Sequence, residues 1–178
     1  MSRPGAGASG AAPSQARLLT LVRHARAEPA TEGRDDFERA LDARGRRDAV
    51  ALAALLSTPA EGVPPVDRVL CSDAARARET LSPVLPALGA AGERASFERA
   101  LYLATADALA ERAARALAEG ARHVLLVGHN PGLEALCARL AGAPGLAMDT
   151  CARFTLRLDG AALDPGAATV AAHDVPRG

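Results

Sequence analysis

The sequence predicts an α/β protein: a three-layer α/β/α sandwich whose mainly parallel central sheet carries an antiparallel C-terminal hairpin. Three observations predict it. Short apolar runs at 18–22 (LLTLV), 66–72 (VDRVLCS) and 123–127 (HVLLV) read as strands buried on both faces. Segments with helical apolar spacing separate these runs. The last segments behave differently: in CARFTLRL, Ala152, Phe154, Leu156 and Leu158 share one face while Arg153, Thr155 and Arg157 share the other. That alternation marks a half-solvated strand, paired as a hairpin with ATVAAH at 168–173. The order βαβαβαβαββ places helices on both faces of one sheet.

The elements follow in order. The first 16 residues, MSRPGAGASGAAPSQA, have one arginine and no apolar stretch of the kind a secretory signal needs. They read as a disordered tail before a single domain over 17–178. After the first strand, ARAEPATEGRDDFERA is charged and turn-rich, hence a loop. Asp42 caps a helix with Ala49, Leu52, Ala53, Leu55 and Leu56 as its apolar stripe. TPAEGVPP is a loop before the second strand. A helix from near Asp73 runs through AARARETL until Pro83 and Pro86 break or restart it. A short extended piece at 95–97 precedes a helix capped by Thr105, with Leu109, Ala113, Ala116 and Leu117 inside and Gly120 as its stop. The last helix, at about 131–141, has Asn130 as its cap and Pro131 in its first position.

Charge is balanced, with 21 acidic and 21 basic residues, so no net field recruits nucleic acid or an anionic membrane. Every basic residue is arginine. An anion site must therefore use Arg or His, and a lysine Schiff base or P-loop lysine is excluded. No apolar stretch approaches the length of a transmembrane helix. Cys71, Cys137 and Cys151 are odd in number and widely spaced, which suits a reduced, cytoplasmic chain. A cysteine phosphatase would need C-x5-R, but that spacing from Cys71 falls on Ala77. The histidines lack H-x-H or H-E-x-x-H spacing, so no metal site is expected.

What remains is a convergence of polar residues. Ligands of such sheets sit outside the carboxyl ends of the strands, and there Arg23, His24, Ser72 and His129 fall, with Arg76 one helical turn beyond the second strand. Two guanidiniums, two imidazoles and a helix N-terminus form an anion pocket best suited to phosphate. A neutral imidazole is a competent nucleophile near pH 7, and a second, protonated one can steady a transferring phosphoryl group.

The segments LVRHARAE, RALDARGRRDA, VLCSDAARARETL and LLVGHNPG, in this order, resemble the histidine phosphatase (phosphoglycerate mutase-like) superfamily over about residues 18–160. Within it, the short form resembles bacterial phosphohistidine phosphatases. The resemblance implies a covalent phosphoryl group on His24, its oxygens held by Arg23, Arg76 and His129, with no cofactor or metal. It implies a phosphorylated substrate, in the short form a histidine-phosphorylated protein. Two departures stand out. Ala25 replaces the family's glycine after the Arg-His pair, and the proton donor has no clear motif: Glu98 is the first candidate and Asp107 the second. Arg39 partly matches a substrate-orienting position. Two alternatives stay open on sequence: a phosphatase of small phosphomonoesters, and a non-catalytic phosphate-binding module.

Overall fold

The apolar runs do become strands. A computed structural model describes residues 17–58, 63–160 and 163–178. Within them β1 (Arg17–Arg23), β2 (Arg68–Ser72), β3 (Ser96–Glu98), β4 (His123–Gly128), β5 (Arg153–Leu158) and β6 (Ala168–Asp174) form one sheet, in the order β3-β2-β4-β1-β5-β6. The first four strands run parallel, and β5 and β6 add an antiparallel hairpin beside β1. This is the expected sandwich. The tail expected over 1–16 lies outside the described residues.

Helices α1 (Ala43–Ser57), α2 (Ala75–Leu81), α3 (Ala90–Glu93), α4 (Ala106–Ala118) and α5 (Gly132–Ala141) cover the sheet. Successive strand residues point to opposite faces, so β1, β2 and β4 each feed two cores. Leu19, Leu21, Val124 and Leu126 pack with α4 and α5 through Leu109, Leu117, Leu133 and Leu140. Val22, Val69, Leu125 and Val127 pack with α1 and α2 through Ala49, Leu52, Ala77 and Leu81. Burying each of the larger side chains contributes about 1.5–3 kcal/mol, which is why charged residues stand only at the ends of β1 and β2.

Two helix caps are as expected: Asp42 accepts from the Gly45 N–H at 2.7 Å and Thr105 from the Ala108 N–H at 3.3 Å. Other boundaries differ. β2 starts at Arg68 because Asp67 turns its carboxylate to the N–H groups of Arg122 and His123, at 2.9 and 3.2 Å. The next helix starts at Ala75 rather than near Asp73. Asn130 does not cap α5, and Pro131 precedes the helix instead of opening it. The Asn130 amide donates to Glu134 and to the Met148 carbonyl, tying α5 to the distant 143–152 connection, and the Asn130–Pro131 peptide is cis. Nor is the polar face of β5 uniformly solvated. Thr155 is buried, bonded at 2.9 Å to Thr20, which is itself 2.8 Å from Nε2 of His123.

Candidate active site

Strand register assembles the site. β1 and β4 pair with Arg23 opposite Gly128, so the residues that follow, His24 and His129, emerge side by side with ring centroids 5.0 Å apart. β2 lies on the other side of β4 with Cys71 opposite Val127, which brings Ser72 beside His129. The hydroxyl of Ser72 is 2.8 Å from Nε2 of His129. Arg76, on the first turn of α2, then reaches back over β2 until its Nε is 3.2 Å from Nε2 of His24. His24, Ser72, Arg76 and His129 are all buried.

A hydrogen bond assigns the tautomer of His24. Its Nδ1 faces the Ala25 carbonyl at 2.8 Å, and a carbonyl only accepts, so in the neutral ring Nδ1 carries the proton and Nε2 keeps its lone pair. Ser72 Oγ accepts from the Ala74 N–H and also pairs with Nε2 of His129. The other nitrogen of His129, Nδ1, is buried and has no partner among the described residues. Nε of Arg23 is buried and unpartnered in the same way, while its Nη1 donates to the Met148 carbonyl at 2.8 Å. Buried polar nitrogens left without partners are costly, and an anion at the strand ends fits that need.

Both imidazoles are neutral. Burial, reinforced by the charges of Arg76 and Arg23, lowers the pKa of His24 to about 4, against the bond to Ala25. Burial lowers that of His129 to about 3, reinforced by repulsion from His24 once that ring is protonated and from Arg76. His24 is thus available as a nucleophile at neutral pH without a base. His129, which a proton would suit to steadying a phosphoryl group, is neutral in this state.

The replaced glycine carries no backbone penalty: Ala25 is not among the residues with positive φ, and its N–H donates to Thr80 Oγ1 at 2.9 Å. Ser72, Arg76 and Thr80 of the S-x-x-x-R-A-x-x-T stretch therefore serve His129, His24 and the turn after His24, which explains that spacing.

The proton-donor candidates are placed elsewhere. Glu98 is held by two guanidinium nitrogens of Arg112 and by Ser96, and it makes no contact with His24, Arg76 or His129. Its pKa is lowered by those bonds despite its burial. Asp107 is 88% exposed and paired with Arg139. Arg39 does approach the site, with Nη2 at 2.9 Å from Asp36 and its charge acting on His24.

Sequence reasoning passed over Asp36 and Tyr102. Asp36 sits in a 3-10 turn, 36–38, that Asp35 caps through the Phe37 N–H. Its Oδ2 accepts from Nη2 of Arg76 at 2.9 Å and from the Tyr102 hydroxyl at 2.7 Å. The Tyr102 ring meets His129 edge-on at 5.3 Å. Phe37 packs edge-on to Tyr102 at 5.0 Å, and Arg99 lies 3.7 Å over Phe37.

Cys71, Cys137 and Cys151 are free and fully buried, and burial raises all three thiols. Among the described residues, no group of three or more His, Cys, Asp or Glu could hold a metal ion, and no helix is long and apolar enough to cross a membrane.

The histidine phosphatase superfamily (branch 1) pattern matches residues 19–101. The uncharacterized protein Rv1276c of Mycobacterium tuberculosis is 32% identical over 169 residues, 88% of this chain and 100% of its own. A candidate phosphohistidine phosphatase SixA from Agrobacterium tumefaciens superposes with a TM-score of 0.74 at 25% identity, covering 90% of this chain and 98% of that one. Another, from Nakamurella multipartitia, gives 0.72 at 28%, covering 93% and 99%. Sequence pattern, chain-long similarity and fold agree with the arginines and histidines at the strand ends: the chain belongs to the histidine phosphatase superfamily, and it is a phosphatase.

Proposed function

We propose that this phosphatase works through a covalent phosphohistidine at His24 and acts on phosphohistidine carried by a protein in the cytoplasm. The observation that carries the mechanism is His24 itself: neutral, with Nδ1–H held by Ala25, its Nε2 lone pair turned to the arginine side of the pocket. In the first step Nε2 attacks phosphorus in line with the leaving group. The N–P bond forms, and the bond to the leaving atom breaks with its electron pair going to that atom. Arg76, Arg23 Nε–H and His129, with its proton on Nδ1, hold the oxygens: Arg76 faces the nucleophile, and the other two nitrogens have no partner among the described residues. In the second step water attacks phosphorus. The N–P bond returns its pair to Nε2, and phosphate leaves with the proton lost from water.

Two points favour a protein-borne substrate. The similar solved structures named above carry the name phosphohistidine phosphatase, and the site opens at Asp36, 42% exposed, with no inserted cap expected from the sequence. Three free thiols suit a reducing compartment.

The test is release of phosphate from a phosphohistidine peptide and from p-nitrophenyl phosphate, without added metal, for the wild type and His24→Ala. Faster release from the peptide, an acid-labile phosphoryl group trapped on the wild-type protein, and loss of both in the variant are expected. Hydrolysis of the ester alone would move the substrate to small phosphomonoesters. Equal activity in the variant would overturn the nucleophile.

A further inference from the structure

Each nitrogen of the Arg76 guanidinium makes a hydrogen bond. Its Nε is on His24 Nε2 at 3.2 Å, its Nη2 on Asp36 Oδ2 at 2.9 Å and its Nη1 on the Asp36 carbonyl at 2.5 Å. A carboxylate therefore stands directly across one guanidinium from the nucleophilic nitrogen. Asp36 is the carboxylate, among the described residues, that touches this cluster, since Glu98 and Asp107 are committed to Arg112 and Arg139. It is also partly open to solvent, whereas Arg76 is buried.

The charged and titratable groups bonded to it are Tyr102, Arg76 and Arg39. The Tyr102 hydroxyl, then the two guanidiniums, hold the Asp36 carboxyl below its ordinary range. Asp36 is accordingly an anion at neutral pH and a poor source of protons. For a phosphate ester this is the wrong group, because the departing oxygen gathers negative charge and needs a proton. For a phosphorylated imidazole it is the right one. Such a ring carries its own proton on the nitrogen not bonded to phosphorus. When the P–N bond breaks, the pair moves to nitrogen and a neutral imidazole departs, with no proton supplied by the enzyme. A carboxylate beside that N–H keeps the ring in its protonated form, the form from which a neutral imidazole departs.

We propose that Asp36 is a specificity-determining residue: an incoming phosphoryl group displaces its carboxylate from Arg76, and the carboxylate then accepts a hydrogen bond from the N–H of a protonated nitrogen leaving group, favouring phosphoramidates over phosphate esters. This rests on the phosphohistidine mechanism above. Tyr102 has the positioning role, donating to the carboxylate while packing on His129.

The experiment compares kcat/KM for a phosphohistidine peptide with kcat/KM for p-nitrophenyl phosphate in the wild type, Asp36→Asn and Tyr102→Phe, each checked for folding by thermal melting. The peptide-to-ester ratio falls roughly 10- to 100-fold in Asp36→Asn, the value of one hydrogen bond to a charged group. It falls in the same direction in Tyr102→Phe. A ratio that stays constant while both rates drop means Asp36 only holds Arg76 in place, and the proposal is wrong. Should Asp36→Asn not fold, the ratio in Tyr102→Phe decides by the same criterion. Absence of His24-dependent turnover on either substrate sinks the parent mechanism as well. His24-dependent turnover with an unmoved ratio sinks the Asp36 assignment alone.

Discussion

At the scale of single residues, the site works by fixing where protons sit. A backbone carbonyl determines the tautomer of His24, and a serine hydroxyl pairs with Nε2 of His129. Neither partner is charged, so the imidazoles are oriented without being made imidazolium, and burial keeps them neutral. Ser72→Ala removes the hydroxyl bonded to Nε2 of His129. The expected result is a mixture of His129 tautomers, seen in the imidazole 15N shifts, and a fall of roughly tenfold in kcat/KM. Unchanged nitrogen shifts would mean that the ring is held by its packing against His24 and Tyr102 instead. Arg23, His24, Arg76 and His129 could be picked out in the sequence because each is polar at a strand end or on the turn after one. Asp36 and Tyr102 could not. Asp36 is one charge among several in DDFERA, and the one available signal for Tyr102 is that it is the sole tyrosine of a chain only 2% aromatic.

At the scale of elements, the start of α5 carries the most constraint. Gly132 lies at its first turn, and a Cβ built there would come within 1.9 Å of the Ala104 carbonyl and 3.3 Å of Leu109 Cδ1. The 104–109 segment therefore rests directly on the backbone that follows His129. Gly132→Ala must push the two apart, with an expected cost of about 1–3 kcal/mol in urea unfolding. Because Tyr102 lies just before that segment, activity on phosphohistidine peptide should fall with it. Wild-type stability would show that the contact relaxes without strain. The helices and strands themselves were largely readable, since periods of 3.6 and 2 are written in consecutive residues. The errors came where a side chain left its own element: Asn130 bonded to Met148 rather than capping its helix, and Thr155 turned inward to Thr20.

At the scale of the whole molecule, neutral buried histidines make stability depend on pH. The unfolded chain protonates His24 and His129 near 6.5, the folded chain only near about 4 and about 3. Burial also lowers His123. The unfolded state thus binds more protons as pH falls, so stability is complete above about 6.5 and is lost toward 4. Each histidine steepens the loss toward ~1.4 kcal/mol per pH unit. Urea midpoints measured from pH 7.5 down to 5 should fall steadily, and added phosphate should oppose the fall. That range lies above the carboxylate titrations of Asp36 and Glu98, both of which are lowered. A flat profile would contradict neutral burial of the pair.

The sequence by itself determined the α/β class, the helices and strands, and the arginines and histidines at the strand ends, because each depends on residues close along the chain. The tertiary structure decided which of those ends are neighbours, through the placing of β4 between β1 and β2. It also decided the charge states and the carboxylate that faces them: Asp36 meets Arg76 across 40 residues and Tyr102 across 66. Burial and Coulomb interaction depend on distance in space, and only the folded sheet supplies that distance.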